Sequence, residues 1–165
     1  MQAKEREPEK LSRQEMIGII AGLILVGSLF IEWFSLETEN VSRDETDDWV
    51  CGVGDNSCTG FDTFPILRWL LIAAAAAPLI LSYIVVRGLH LSWPRGELTA
   101  IVGLTAFVLI AYNGIIDKPS PNDIGVTLSY GYYLALLASL GIFLSGGFRA
   151  VDSGGGAQRK PPATF

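Results

Sequence analysis

The sequence predicts an all-α membrane protein: an antiparallel bundle of four transmembrane helices with a disulfide-pinned extracytoplasmic loop. Three observations predict this. Charged residues make up only 18% of the 165 positions and are gathered between long uncharged runs. Lysine and arginine are divided unequally between alternate connections. The only two cysteines, Cys51 and Cys58, lie close together in one acidic connection.

The runs set the spans. Met16 to Ile31 is uncharged for 16 residues, Trp69 to Val86 for 18, Leu98 to Ile116 for 19 and Ile124 to Phe148 for 25. Crossing the hydrocarbon takes roughly 20 apolar residues, with about 17 to 25 the usual range. The last three runs qualify alone, and the first does once Glu32 to Leu36 is counted as interfacial. The expected order is a cytoplasmic segment 1–15, a helix 16–36, an acidic extracytoplasmic loop 37–63 and a helix 64–86. A cytoplasmic loop 87–96, a helix 97–116, an extracytoplasmic loop 117–124, a helix 125–149 and a flexible cytoplasmic tail 150–165 follow. Residues 153–165 are rich in Ser, Gly and Pro, the composition of a flexible tail. Lys4, Arg6, Lys10 and Arg13 before the first run would suit a signal peptide. The following EWFSLETEN lacks the small-x-small pattern of a cleavage site, so the run is expected to remain as an anchor.

Cytoplasmic flanks carry the excess of Lys and Arg. One set of flanks holds Lys4, Arg6, Lys10, Arg13, Arg87, Arg95, Arg149, Arg159 and Lys160, nine in all, and the opposite set only Arg43 and Lys118. Both termini are therefore expected in the cytoplasm, of a bacterial cell membrane. Residues 37–63 carry a net charge of −7. That acidity repels a phosphate backbone and excludes nucleic acid as a partner of this face.

Within lipid, helices approach one another through small residues. The fourth span offers Gly131, Ala135 and Ser139 with Ala138, Gly141 and Ser145 alongside; the third offers Gly103, Ala106 and Gly114. In the second, Ala73 to Ala77 is followed by Pro78, which removes a helix donor. Trp33, Phe34, Trp69, Tyr112, Tyr130, Tyr132 and Tyr133 mark one interface, and Tyr83, Trp93 and Phe148 the other. Two ionisable residues, Glu32 and Arg68, lie clearly within the expected spans and not at their cytoplasmic ends, where Glu97 and Arg149 stand. They lie at the same shallow outer depth in adjacent spans. An intramembrane Glu32–Arg68 ion pair is expected, or snorkelling of each to the boundary.

Cys51 and Cys58 enclose GVGDNS, a run of turn formers, on the side where disulfides persist. A redox catalyst would use C-x-x-C and a second pair. A zinc site would need two more ligands, and the single histidine, His90, falls on the other side. The reading is a structural staple, with no metal and no catalytic residue. The acidic residues lack the D-x-D-x-D-G spacing of a calcium loop, and Asn40-Val41-Ser42 fits a glycosylation sequon.

Two resemblances follow from quoted segments. LSRQEMIGIIAGLILVGSLFIEWFSL, TGFDTF, IIDKP and GYYLALLASLGIFLSGG resemble a family of small four-span actinobacterial membrane proteins of unknown function. That family has Pro where Glu32 stands and usually Trp where Phe61 stands, and the cysteine pair is an addition to its pattern. In layout the chain is similar to claudin-like four-span proteins. Trp33 ends the first span, Trp49 precedes Cys51 and Cys58, and Arg68 opens the second span. The claudin Gly-Leu-Trp is Asp-Asp-Trp here, and the outer loop is too short for a full outer sheet.

No His, Ser or carboxylate cluster gathers at one depth, and no cofactor motif appears. The function expected is that of a non-enzymatic integral membrane protein acting by protein–protein interaction, as an accessory subunit or scaffold. The alternative is an oligomeric channel or small-solute transporter. The expected partners are the lipid bilayer and a membrane-protein partner or further copies in a homo-oligomer.

Overall fold

The structure is a computed structural model that describes residues 12–36, 57–87, 95–119 and 125–155. The described chain is mostly helical. In order it contains α1 (Arg13–Ser28), β1 (Glu32–Leu36), β2 (Ser57–Thr59), α2 (Gly60–Thr63), α3 (Leu67–Val86), α4 (Arg95–Ala111), a π-helical turn (Tyr112–Ile116), β3 (Val126–Leu128) and α5 (Tyr130–Gly155). Three helices are long and apolar enough to cross a membrane: Leu67–Ile84, Gly96–Ile116 and Tyr130–Asp152. Their outward faces carry large exposed hydrophobic side chains such as Leu79, Ile101, Val108 and Leu137.

The chain is not all-α, and the first helix does not run from 16 to 36. Helix α1 has 16 residues. At 1.5 Å per residue that is roughly 24 Å, short of a hydrocarbon core of about 30 Å. Ser12 caps its start, with the Ser12 and Glu15 side chains each accepting from the other's backbone N–H. Its end has a local cause. Gly27 and Ser28 are weak helix formers. The Ser28 hydroxyl turns back onto the Leu25 carbonyl at 2.7 Å, and Trp33 Nε1 donates to the Ser28 carbonyl at 2.8 Å. The Ser28 carbonyl, at the helix end where the regular donor is lacking, thus accepts from the Ile31 N–H at 3.2 Å and from a side chain beyond the helix.

The aromatic segment EWFSL then finds two strand partners. The sheet order is β2-β1-β3, antiparallel throughout. Phe34 lies opposite Cys58 on one side and Leu128 on the other. The register shifts between Glu32 and Phe34. Successive strand residues normally face opposite sides, yet Trp33 and Phe34 are both fully buried. The irregularity re-aims one of them, as bulges do. Only β2 comes from the loop 37–63; β1 and β3 are drawn from segments expected to be helical. That recruitment is how a sheet forms although the loop is short.

Below the sheet the four long helices pack in a circuit. α1 lies against α3 and α5, and α4 lies against α3 and α5. The contacts use small residues. α1 buries Gly18, Ala21, Gly22, Leu25 and Ser28. A Cβ at Gly22 would stand 2.6 Å from the Ala75 carbonyl oxygen, and one at Gly146 would stand 2.7 Å from the Gly96 carbonyl oxygen. Ala135 and Ser139 of the expected small-residue stripe are fully buried on α5. α5 itself continues to Gly155, so residues 150–155 are helix and not tail. Cys51, Trp49, the acidic residues of 37–56, Asn40 and His90 lie outside the described residues.

Candidate functional site

Polar and aromatic groups concentrate at the two ends of the helix circuit. At the sheet end, Trp33, Phe34, Phe64 and Tyr132 form a plug. Trp33 meets Tyr132 edge-on at 5.9 Å, Phe34 meets Phe64 at 5.8 Å, and Trp33 meets Phe64 at 6.3 Å. Such pairs add about 0.5–1.5 kcal/mol each beyond area burial. Glycines make room for the rings. A Cβ at Gly60 would lie 2.6 Å from Trp33 Cδ2, and one at Gly131 would lie 2.8 Å from Trp33 Cδ1. Gly114 faces the Tyr132 ring from the π-helical turn. In the same turn Asn113 Nδ2 donates to the Leu109 carbonyl at 2.8 Å.

The site residues expected from sequence fall around this plug, but not as expected. Glu32 lies on β1, exposed, and its Oε1 accepts from Ser57 Oγ at 3.0 Å. Arg68 lies in the first turn of α3. Its Nη1 donates to the Phe61 carbonyl at 3.2 Å, and its guanidinium stands 4.6 Å from the Phe61 ring centroid and 5.7 Å from that of Trp69. The Glu32–Arg68 ion pair is therefore corrected: the two are held by different partners. The physical reason is that Glu32 belongs to a strand, where hydroxyls are within reach, while aromatic rings capture the arginine. A cation over an aromatic face gains about 0.5–2 kcal/mol. Glu32→Gln and Arg68→Gln are accordingly expected to destabilise additively, within about 0.5 kcal/mol, in detergent unfolding. A larger coupling would restore the pair.

Cys58 is on β2, 2% exposed. It is not a free thiol. The expected pairing with Cys51 falls on a position outside the described residues.

The opposite end holds a cluster that the sequence reading passed over. Glu15 has a side chain only 4% exposed, and Arg149 Nη1 lies 2.6 Å from its Oε1. Oε1 accepts no well-aligned hydrogen bond, so that contact is ionic and not a straight N–H···O bond. Oε2 accepts from the Ser12 N–H at 2.8 Å. Beside it Gln14 Nε2 donates to Asp152 Oδ2 at 2.5 Å, 138 positions along the chain. Ser82 of α3, Thr99 of α4 and Ser145 of α5 are each buried around the pair. They enclose a small cleft with Glu15 and Arg149, in which a water-sized body has about 10 Å³. Ser12-x-x-Glu15 fits the capping-box pattern, a signal that could have marked the start of α1. The ion pair has no such signal, because Arg149 reads as one more basic flank.

Among the described residues, then, the chain brings together an aromatic plug under a sheet and one ion pair in a polar end. No family model, curated protein or solved structure matches the chain.

Proposed function

We propose that this chain is a non-enzymatic integral membrane protein that acts by protein–protein interaction through its sheet end, as an accessory subunit or scaffold. It would stand with the small four-span actinobacterial proteins that its segments resemble. In this reading α1 is the fourth span, completed by the turn and strand that follow it, and the helices form an antiparallel bundle. The sheet end is extracytoplasmic and the Glu15–Arg149 end cytoplasmic, in keeping with the nine basic residues on the latter side. Cys51 and Cys58 form the disulfide that pins the outer loop beside β2.

The observation that carries this reading is the closed sheet end. Trp33, Phe34 and Tyr132 are at most 1% exposed. Their rings fill the space through which a solute would have to leave the helix circuit. What the plug does supply is a rigid base for the sheet and for the acidic loop attached to it. A stiff platform lowers the ordering cost of binding.

Two experiments test it. Purified protein reconstituted into liposomes is expected to give no ion or small-solute flux above empty vesicles; measurable flux would establish the channel or transporter reading instead. In intact cells, an impermeant maleimide is expected to label the cysteines only after an impermeant reductant is added. Labelling without reduction would end the disulfide. No labelling in either condition, with labelling after permeabilisation and reduction, would reverse the orientation.

A further inference from the structure

We propose that the polar end contains a binding site for one water molecule, held between Glu15 and Ser82 and joining α1 and α5 to α3. The cleft is built from all four long helices, with Glu15 from α1, Ser82 from α3, Thr99 from α4 and Arg149 from α5. Three features select the ligand.

The first is size. A buried water needs roughly 10–15 Å³ of free volume and two to four polar partners. The cleft offers about 10 Å³ to a water-sized body, which is too little for any organic solute. The second is charge. One carboxylate and one guanidinium already stand in contact at 2.6 Å. A bound cation would face Arg149 and a bound anion would face Glu15, so the pair disfavours an ion of either sign. Water is neutral and can donate to Glu15 while accepting from a hydroxyl. The third is a spare acceptor position. Glu15 Oε1 is buried and meets Arg149 Nη1 off the hydrogen-bond line, so a carboxylate lone pair is left for a further donor. The Ser82 hydroxyl, on a residue 6% exposed, lines the same cleft.

The consequence is mechanical. No direct hydrogen bond among the described residues ties Glu15 to α3. A bridging water supplies that link with an enthalpy close to that of a direct bond. It fastens the short first helix to its neighbours at the end away from the sheet.

Pulsed hydroxyl-radical labelling of the wild-type chain in lipid nanodiscs, begun at set delays after mixing into H₂¹⁸O, reads such a water directly. Pro78 is buried and lines the cleft, whereas Leu71 is 1% exposed and lies outside it. Pro78 is expected to be oxidised, with ¹⁸O incorporation lagging behind that of exposed residues, while Leu71 stays unlabelled. Ser82→Val, which removes one partner and fills the space, is expected to lower Pro78 labelling at least roughly threefold. An unlabelled Pro78 in the wild type overturns the site, as does labelling without a lag, which would mean open access to bulk solvent. Unchanged labelling in Ser82→Val overturns it as well. If that variant does not fold, the wild-type lag alone decides.

Discussion

Arg149→Met is expected to lower the unfolding midpoint of the purified protein in mixed micelles by more than any change at the sheet-end charges. The substitution keeps most of the apolar stem but leaves the Glu15 carboxylate, 4% exposed, without its cation. Removing one partner of a buried pair costs about 3–5 kcal/mol, because the remaining charge is stranded. Arg149 is itself 22% exposed, so some solvent reaches the pair and the low end, about 3 kcal/mol, is expected. Glu15→Gln should cost less, since the amide still accepts from Ser12 and an arginine can turn toward solvent. The double variant should lose less than the sum of the two. A midpoint for Arg149→Met within experimental error of wild type would show that bulk solvent reaches the carboxylate in the folded protein and that the pair holds nothing. Arg68→Gln, where rings and a carbonyl hold a boundary arginine, is the comparison.

Gly103→Leu is expected to have the other large effect, and Gly147→Ala the opposite sign. A Cβ at Gly103 would come against the Phe143 backbone nitrogen, and would stand 2.8 Å from Phe143 Cα and 2.9 Å from the Ile142 carbonyl carbon. These are all main-chain atoms, so no rotamer change can make room, and α4 and α5 would have to part. Overpacking costs about 1–3 kcal/mol when side chains can adjust, and more is expected where they cannot. At Gly147 a Cβ would meet nothing within 4 Å. There the substitution should stabilise by up to about 1 kcal/mol, through the higher helix propensity of alanine. Unfolding midpoints of the two variants against wild type give the test. Equal effects would mean that α4 and α5 are not seated on each other as described.

Much of this architecture follows from local pattern, because the membrane imposes its demands on segments one at a time. A run such as Trp69 to Val86 must satisfy its backbone internally in lipid, and a helix is the only single-segment way to do so. Its length and lack of charge are therefore enough to predict α3, and the same holds for α4 and α5. Small residues such as Ala135 and Ser139 were legible as packing positions for a similar reason: close helix approach needs small side chains wherever the partner comes from. The capping of α1 by Ser12 and Glu15 spans three positions and needs nothing distant.

What the sequence could not determine by itself depends on pairing between distant segments. EWFSL is apolar enough to extend a helix, and it becomes a strand because Ser57–Thr59 and Val126–Leu128 offer it two antiparallel partners. That pairing moves Glu32 off a helix and away from Arg68. At the other end, Glu15 and Arg149 look like two ordinary flanking charges. They become a buried pair only once α1 and α5 are rotated so that the small-residue faces meet, since that rotation turns both side chains inward. The sequence thus determined that α3, α4 and α5 are long and apolar enough to cross a membrane, because solvation acts on each segment alone. That EWFSL continues as a strand and which charges meet were decided by the tertiary structure, because strand pairing and helix rotation exist only between segments.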